Sequence, residues 1–146
     1  MFKMHLTKKL FYLWLMSISM LNCKSVFAEE IKVVYHINEN IPKSIQVLGN
    51  IRYHLLEEPS ARIKVVTHGP GIEFLLEGAK ATNGSDLSSL VASLASQGVE
   101  FYVCRNTLTF RKIPENKVIL EAKVVPSGVA EIARLQAKEG YVYLKP

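Results

Sequence analysis

The sequence predicts a doubly wound α/β domain, a three-layer α/β/α arrangement with a mostly parallel five-stranded sheet of the flavodoxin- or Rossmann-like kind. Three observations carry that expectation. β-rich apolar runs alternate with segments whose apolar residues recur every three or four positions. Clusters of Gly, Pro, Asn and Ser separate them. Strands joined by helical crossovers imply parallel pairing, with helices on both faces.

The elements follow in order. Residues 31–37, IKVVYHI, form a β-rich run. Residues 41–57 place Ile41, Ile45, Leu48, Ile51 and Leu55 on one helical face, and Glu58-Pro59-Ser60 breaks it. Residues 63–67 make a second strand, closed by His68-Gly69-Pro70-Gly71, with a short helix through Leu76. Asn83-Gly84-Ser85 is expected to cap a helix carrying Leu87, Leu90, Val91 and Leu94 on one side, with Gly98 past its end. Residues 99–103 form a third strand that runs into Cys104. Residues 123–125 form a fourth, Ser127 caps a helix to Lys138, Gly140 stops it, and residues 141–144 are a final strand.

The start of the chain has a different character. Lys3, Lys8 and Lys9 precede a twelve-residue apolar stretch, residues 10–21, and Val26-Phe27-Ala28 follows with small residues at −3 and −1. That is the layout of a cleaved secretory signal, so residues 1–28 are expected to be a signal peptide and residues 29–146 one periplasmic domain. A membrane span needs about 20 apolar residues; retention as an anchor, or lipidation at Cys23, are the competing outcomes. Eighteen basic and thirteen acidic side chains give +5 overall. Four of those lysines, and no acid, fall in residues 1–28, which leaves +1 for the remainder. Such a balance gives no support for binding nucleic acid, or for a membrane once the signal is removed. Cleavage would also remove Cys23 and leave Cys104 as the only cysteine, without an internal disulfide partner.

In open parallel sheets, ligands bind beyond the carboxyl ends of the strands. Those ends carry His36, Asn38 and Glu39; His68, Gly69 and Gly71; Cys104, Arg105 and Asn106; and Pro126-Ser127. His54 falls on the Lys43/Asn50 face of its helix and reads as solvated.

The stretches KVVYHINEN, IKVVTHGPGIEFLL, GVEFYVCRNTL and VVPSGVAEIARLQAKEGYVYLKP resemble the periplasmic, signal-bearing branch of the DsrE/DsrF-like superfamily, in order over residues 31–146. The resemblance implies the same fold and a homo-oligomer, a trimer or hexamer. Some members carry a persulfide on a cysteine in sulfur oxidation or in sulfur relay to tRNA; export would exclude the second role here. Cys104 occupies a comparable strand-end position, which implies a sulfur-donor or sulfur-acceptor protein as partner.

The residues can also be read for their chemistry. A thiol becomes nucleophilic as its thiolate, favoured by a helix N-terminus or a nearby cation. Cys104 ends a strand before a helical turn, with Arg105 alongside; free cysteine is equally at home as a buried packing residue. His36 and His68 could tune Cys104, join it in a metal site, or bond to loop backbone. Gly69-Pro70-Gly71 suits an anion at a helix N-terminus or a structural turn. The segment GPGIEF departs from GxGxxG at Phe74, so no dinucleotide or other cofactor is implied. Glu73 and Glu77, four apart, fit a solvated helix face. Tyr141, Tyr143 and Val118-Ile119-Leu120 exceed what so small a core must bury, which points to contacts between copies.

Two functions from different classes emerge. One is a thiol protein that carries or transfers sulfur on Cys104. The other is a non-catalytic binding or assembly module whose strand-end pocket holds a metal, a small anion or a partner. With one cysteine, a self-contained dithiol oxidoreductase is disfavoured.

Overall fold

The computed structural model describes residues 30–146. The signal-like segment, its cleavage motif and Cys23 lie outside the described residues. Five strands, β1 (Lys32–Ile37), β2 (Arg62–Thr67), β3 (Glu100–Cys104), β4 (Ala122–Val125) and β5 (Val142–Leu144), form one sheet in the order β4-β3-β2-β1-β5. Every pairing is parallel. Four α-helices are described, α1 (Ile41–Glu57), α2 (Ser88–Ser96), α3 (Arg105–Phe110) and α4 (Gly128–Glu139), with 3-10 turns at Gly69–Leu75 and Glu115–Lys117.

The strand order dictates the layers. From β1 to β4 the chain steps steadily in one direction, so right-handed crossovers leave α1, the 3-10 turns, α2 and α3 on one face. To reach β5 it must return across the whole sheet, which puts α4 alone on the other. Side chains alternate between the faces with period two. Val33, Tyr35, Ile37, Val65, Phe101 and Val103 join the larger core, with Leu48 and Ile51 of α1, Phe74 of the first 3-10 turn and Leu108 of α3. Val34, Val66 and Tyr102 point the other way and meet Ile132 and Leu135 of α4, together with Tyr141, in a much smaller cluster.

Local signals place the helices. The Asn40 side chain accepts from the Lys43 amide to start α1. Ser127 accepts from the Ala130 amide to start α4, and Gly140, with φ +73°, ends it in the left-handed conformation.

Three expectations need correction. Helix α2 begins at Ser88, where Asp86 Oδ1 accepts from the Ser88 amide at 2.8 Å; Asn83 instead closes a local turn by accepting from the Ser85 amide at 3.1 Å. His54 is not solvated: its Nδ1 lies 2.8 Å from the Tyr35 hydroxyl, half-buried between helix and sheet. Tyr141 is a core residue, 7 % exposed, with the Lys64 ammonium 5.0 Å from its ring centre. Val118 and Ile119 also pack against the core, while Leu120 is fully exposed.

Candidate functional site

The strand register sets the carboxyl ends of β1, β2 and β3 nearly level: Ile37 pairs with Thr67, and Thr67 with Val103. By period-two alternation His36 shares the α4 face with Val34, and Cys104 shares it with Tyr102. Tyr143 of β5 is in register with Val34. One sheet edge therefore carries, in spatial order, Cys104, His68, His36 and Tyr143, at the end where α4 begins.

Gly128, the first residue of α4, makes this closeness feasible. A Cβ there would stand 3.1 Å from the Thr67 carbonyl oxygen, 3.3 Å from Cys104 Cβ and 3.5 Å from His68 Cβ. Cys104 and His68 thus flank one small gap against the helix start. Gly71 serves the turn after β2. A Cβ there would fall 2.2 Å from the Ile37 carbonyl oxygen, so the Gly69-Pro70-Gly71 segment crosses the end of β1 with only glycine fitting at Gly71. That close approach gives the tripeptide its structural reason.

Cys104 is 5 % exposed. Burial acts to raise its pKa, yet the nearby amides of Gly128, Thr107 and Asn106 and the Thr107 hydroxyl act to lower it, and the net effect is a lowered value. None of these contacts closes as a regular helix-cap hydrogen bond.

The two histidines form a second cluster. His36 Nε2 and His68 Nε2 lie 2.7 Å apart, and His36 Nδ1 lies 2.7 Å from the Tyr143 hydroxyl. Two facing imidazole nitrogens at this distance share one proton, one ring donating and the other accepting. Burial, then the positive charge of His68 and Lys145, lowers the His36 pKa to about 4, against an opposing pull from Glu39. Burial, then Lys145, lowers His68. Lys145 Nζ itself is held 3.2 Å from the Glu39 carboxylate.

The remaining predicted residues divide clearly. Arg105 does not reach toward the thiol; its exposed guanidinium pairs with Glu115. The expectation that it adds potential at Cys104 is corrected by that pairing. Ser127 spends its hydroxyl capping α4. The Asn106 amide approaches both the sulfur and the Pro126 carbonyl, the latter at 3.4 Å. Asn38 donates its amide to Glu39 at 3.1 Å, and its side-chain oxygen is buried without a partner among the described residues. Glu73 and Glu77 each bridge to another element, through Arg111 at 2.9 Å and Lys117 at 3.1 Å.

His36 and His68 are placed as a hydrogen-bonded pair near Cys104 rather than as a three-ligand set. Among the described residues no group of three His, Cys, Asp or Glu side chains is placed to hold one. Two ligands of a tetrahedral zinc stand roughly 3.3 Å apart, given Zn–N bonds of about 2.0–2.1 Å. The facing nitrogens are closer than that, and Lys145 adds positive charge beside them.

Between the turn after β2 and α3 runs a groove of about 580 Å³, which Cys104 itself does not line. Gly69, Pro70, Asn106, Thr107, Phe110 and Arg111 line it with Glu73. Phe110 is 88 % exposed there.

Two residues of this site, Thr107 and Gly128, have no place among the sequence expectations, and a third, Tyr143, enters them only as a contact between copies. The signal for Gly128 was available, a residue without a side chain directly after a helix cap that faces a strand end. Tyr143 was noticed as an apolar excess. Its hydroxyl role depends on β5 lying next to β1, which the sequence order does not reveal.

The fold and the site together define a class: a parallel α/β domain with a buried thiol at a strand end. A family model for the DsrE/DsrF-like family matches residues 21–146. The chain belongs to that family. It is similar to a protein of unknown function, MTH1491 from Methanobacterium thermoautotrophicum, with 32% identity, a TM-score of 0.71, and coverage of 80% of this chain and all of that one. It also shares its fold with the ychN protein of E. coli, at 16% identity and a TM-score of 0.62, covering 79% of this chain and 97% of that one. A search of curated proteins finds no match. The family is associated with sulfur metabolism. Among the described residues no helix is long and apolar enough to cross a membrane.

Proposed function

We propose that this chain is an exported sulfur carrier that accepts and passes on a sulfur atom at Cys104. The observation that supports it most is the placement of a buried Cys104 at a strand end, between the starts of α3 and α4 and across Gly128 from His68, where nearby amides lower its pKa despite burial. A packing thiol needs no such donors; a thiolate does.

The transfer step balances without an external oxidant. The Cys104 thiolate attacks the outer sulfur of a donor persulfide, a new S–S bond forms, the old one breaks, and the electron pair leaves with the donor thiolate. The reverse step, onto a thiolate of an acceptor protein, discharges the carrier. His68, across Gly128 from Cys104, is the nearest candidate for steering a proton, and His36 holds its ring in place. The groove lined by Phe110 and Arg111 is where a donor or acceptor protein would approach. Export with loss of residues 1–28 and assembly as a trimer or hexamer belong to the same proposal, the first motivated by the signal-like start and the second by the family resemblance, with the exposed Leu120 available for a contact between copies.

The test is intact-mass spectrometry of protein incubated with polysulfide and then with a thiol. Addition of one or more sulfur atoms that vanishes on thiol treatment, and is absent from Cys104→Ser, is the expected result. A protein that stays at its unmodified mass throughout would defeat the proposal.

A further inference from the structure

Tyr143, His36 and His68 form a continuous hydrogen-bonded chain from β5 through β1 to the end of β2. The Tyr143 hydroxyl lies 2.7 Å from His36 Nδ1, and His36 Nε2 lies 2.7 Å from His68 Nε2. Burial, and the Lys145 ammonium beside the rings, outweigh the Glu39 carboxylate and keep both imidazoles neutral near pH 7. Each contact then holds one proton, and the direction of one fixes the direction of the other. If Tyr143 donates to His36 Nδ1, the His36 proton sits on Nε2 and faces His68 Nε2. His68 must then keep its own proton on Nδ1. The reverse direction puts the His68 proton on Nε2. Acidity decides between the two. A phenol proton, with a pKa of about 10, is lost far more readily than the N–H proton of a neutral imidazole. The imidazole nitrogen, whose ordinary pKa is about 6.5, is also a far better acceptor than a phenol oxygen. The hydroxyl therefore donates, and the chain runs from Tyr143 to His68.

We propose that Tyr143 is a positioning residue that, through His36, holds the neutral His68 ring with its proton on Nδ1, so that His68 serves the site as a hydrogen-bond donor and not as a base. The inference deepens the reading in which His68 steers a proton beside Cys104, and rests on it. His68 Nε2 is taken up by His36, whereas Nδ1 has no partner among the described residues and is not buried. The neutral ring thus has no spare lone pair with which to deprotonate a thiol. It has a proton to give to the thiolate that leaves during sulfur transfer. The protons then move as a relay. The leaving sulfur takes the His68 Nδ1 proton, His68 Nε2 takes the His36 proton, His36 Nδ1 takes the Tyr143 proton, and solvent reprotonates Tyr143. On this account the short edge strand β5 belongs to the site, because its pairing with β1 delivers the hydroxyl.

The experiment is long-range proton–nitrogen correlation NMR of the protein with isotope-labelled histidines, near neutral pH, which reads the nitrogen that carries each ring proton. The expected wild-type result is His36 protonated on Nε2 and His68 on Nδ1. Tyr143→Phe keeps the ring and removes the hydroxyl, so the preference should fall by about fivefold, with the nitrogen resonances of both rings moving toward their averages. A wild-type His68 protonated on Nε2 overturns the proposal, and so does a Tyr143→Phe protein with unchanged tautomers. Should Tyr143→Phe fail to fold, His36→Gln severs the same chain while its amide can donate to or accept from His68 Nε2. Mixed His68 tautomers there support the proposal, and a ring still fixed on Nδ1 overturns it. Sulfur loading of Cys104 is read separately by mass. Loading with the wrong tautomers overturns this inference alone, whereas the expected tautomers without loading overturn the sulfur-carrier reading and the relay with it.

Discussion

The two faces of the sheet differ in what covers them. One is sealed by α1, two 3-10 turns, α2 and α3 over a large apolar core. The other has α4 alone, over a cluster of six buried residues, and every polar side chain of the candidate site except Thr107 and its groove lies at that helix's starting end. The difference teaches where chemistry is affordable in so small a domain. Stability is concentrated on the thick face. The thin face can then hold a thiol, two histidines and a tyrosine that contribute little to packing.

That comparison is broken or sharpened first by core truncation. Phe101→Ala on the thick face removes a fully buried ring that meets Phe74 edge-on and is expected to cost about 3–5 kcal/mol. Leu135→Ala on the thin face should cost about 2–3 kcal/mol, the lower part of the range for such truncations. Urea unfolding monitored by circular dichroism measures both. Equal losses would show that the faces do not divide the stability as described.

A smaller effect comes from the histidine pair. Both imidazoles have pKa values below the ordinary one, His36 at about 4. Below about pH 6.5 the unfolded chain takes up protons that the folded chain refuses, so stability should be full above that pH and decline as pH falls toward 4. Solvent on the exposed side of the rings limits the His36 contribution to about 1 kcal/mol. His36→Gln should flatten the profile in this window. A wild-type profile that is already flat would mean the two rings do not face each other in solution.

The smallest effect expected is that of Arg105. Because its guanidinium is turned to Glu115, Arg105→Gln should leave the Cys104 alkylation midpoint where it is. A clear upward shift would restore Arg105 to the site.

Much of this was legible in the sequence because periodicity encodes it. Alternating and helical apolar patterns fixed the element types, and the rule that ligands gather at strand ends brought His36, His68 and Cys104 to one edge. What remained hidden depended on side-chain direction. Arg105 follows Cys104 directly, yet a residue at the first helical position points away from the preceding cap, here to Glu115. His54 looked solvated by its place on the helix face, but Tyr35 offers it a hydroxyl from the sheet. Tyr143 meets His36 only because the chain returns across the sheet to put β5 beside β1. Gly128 was overlooked because its importance lies in the absence of a side chain.

The central claim is that Cys104, at the strand end between the starts of α3 and α4, is kept as a thiolate, and one measurement tests it most directly: the pH dependence of iodoacetamide labelling of the native, folded protein. The account predicts a single site labelled without denaturant, with a midpoint well below about 8.5. Labelling that requires denaturation, or a midpoint at or above that value, would contradict it.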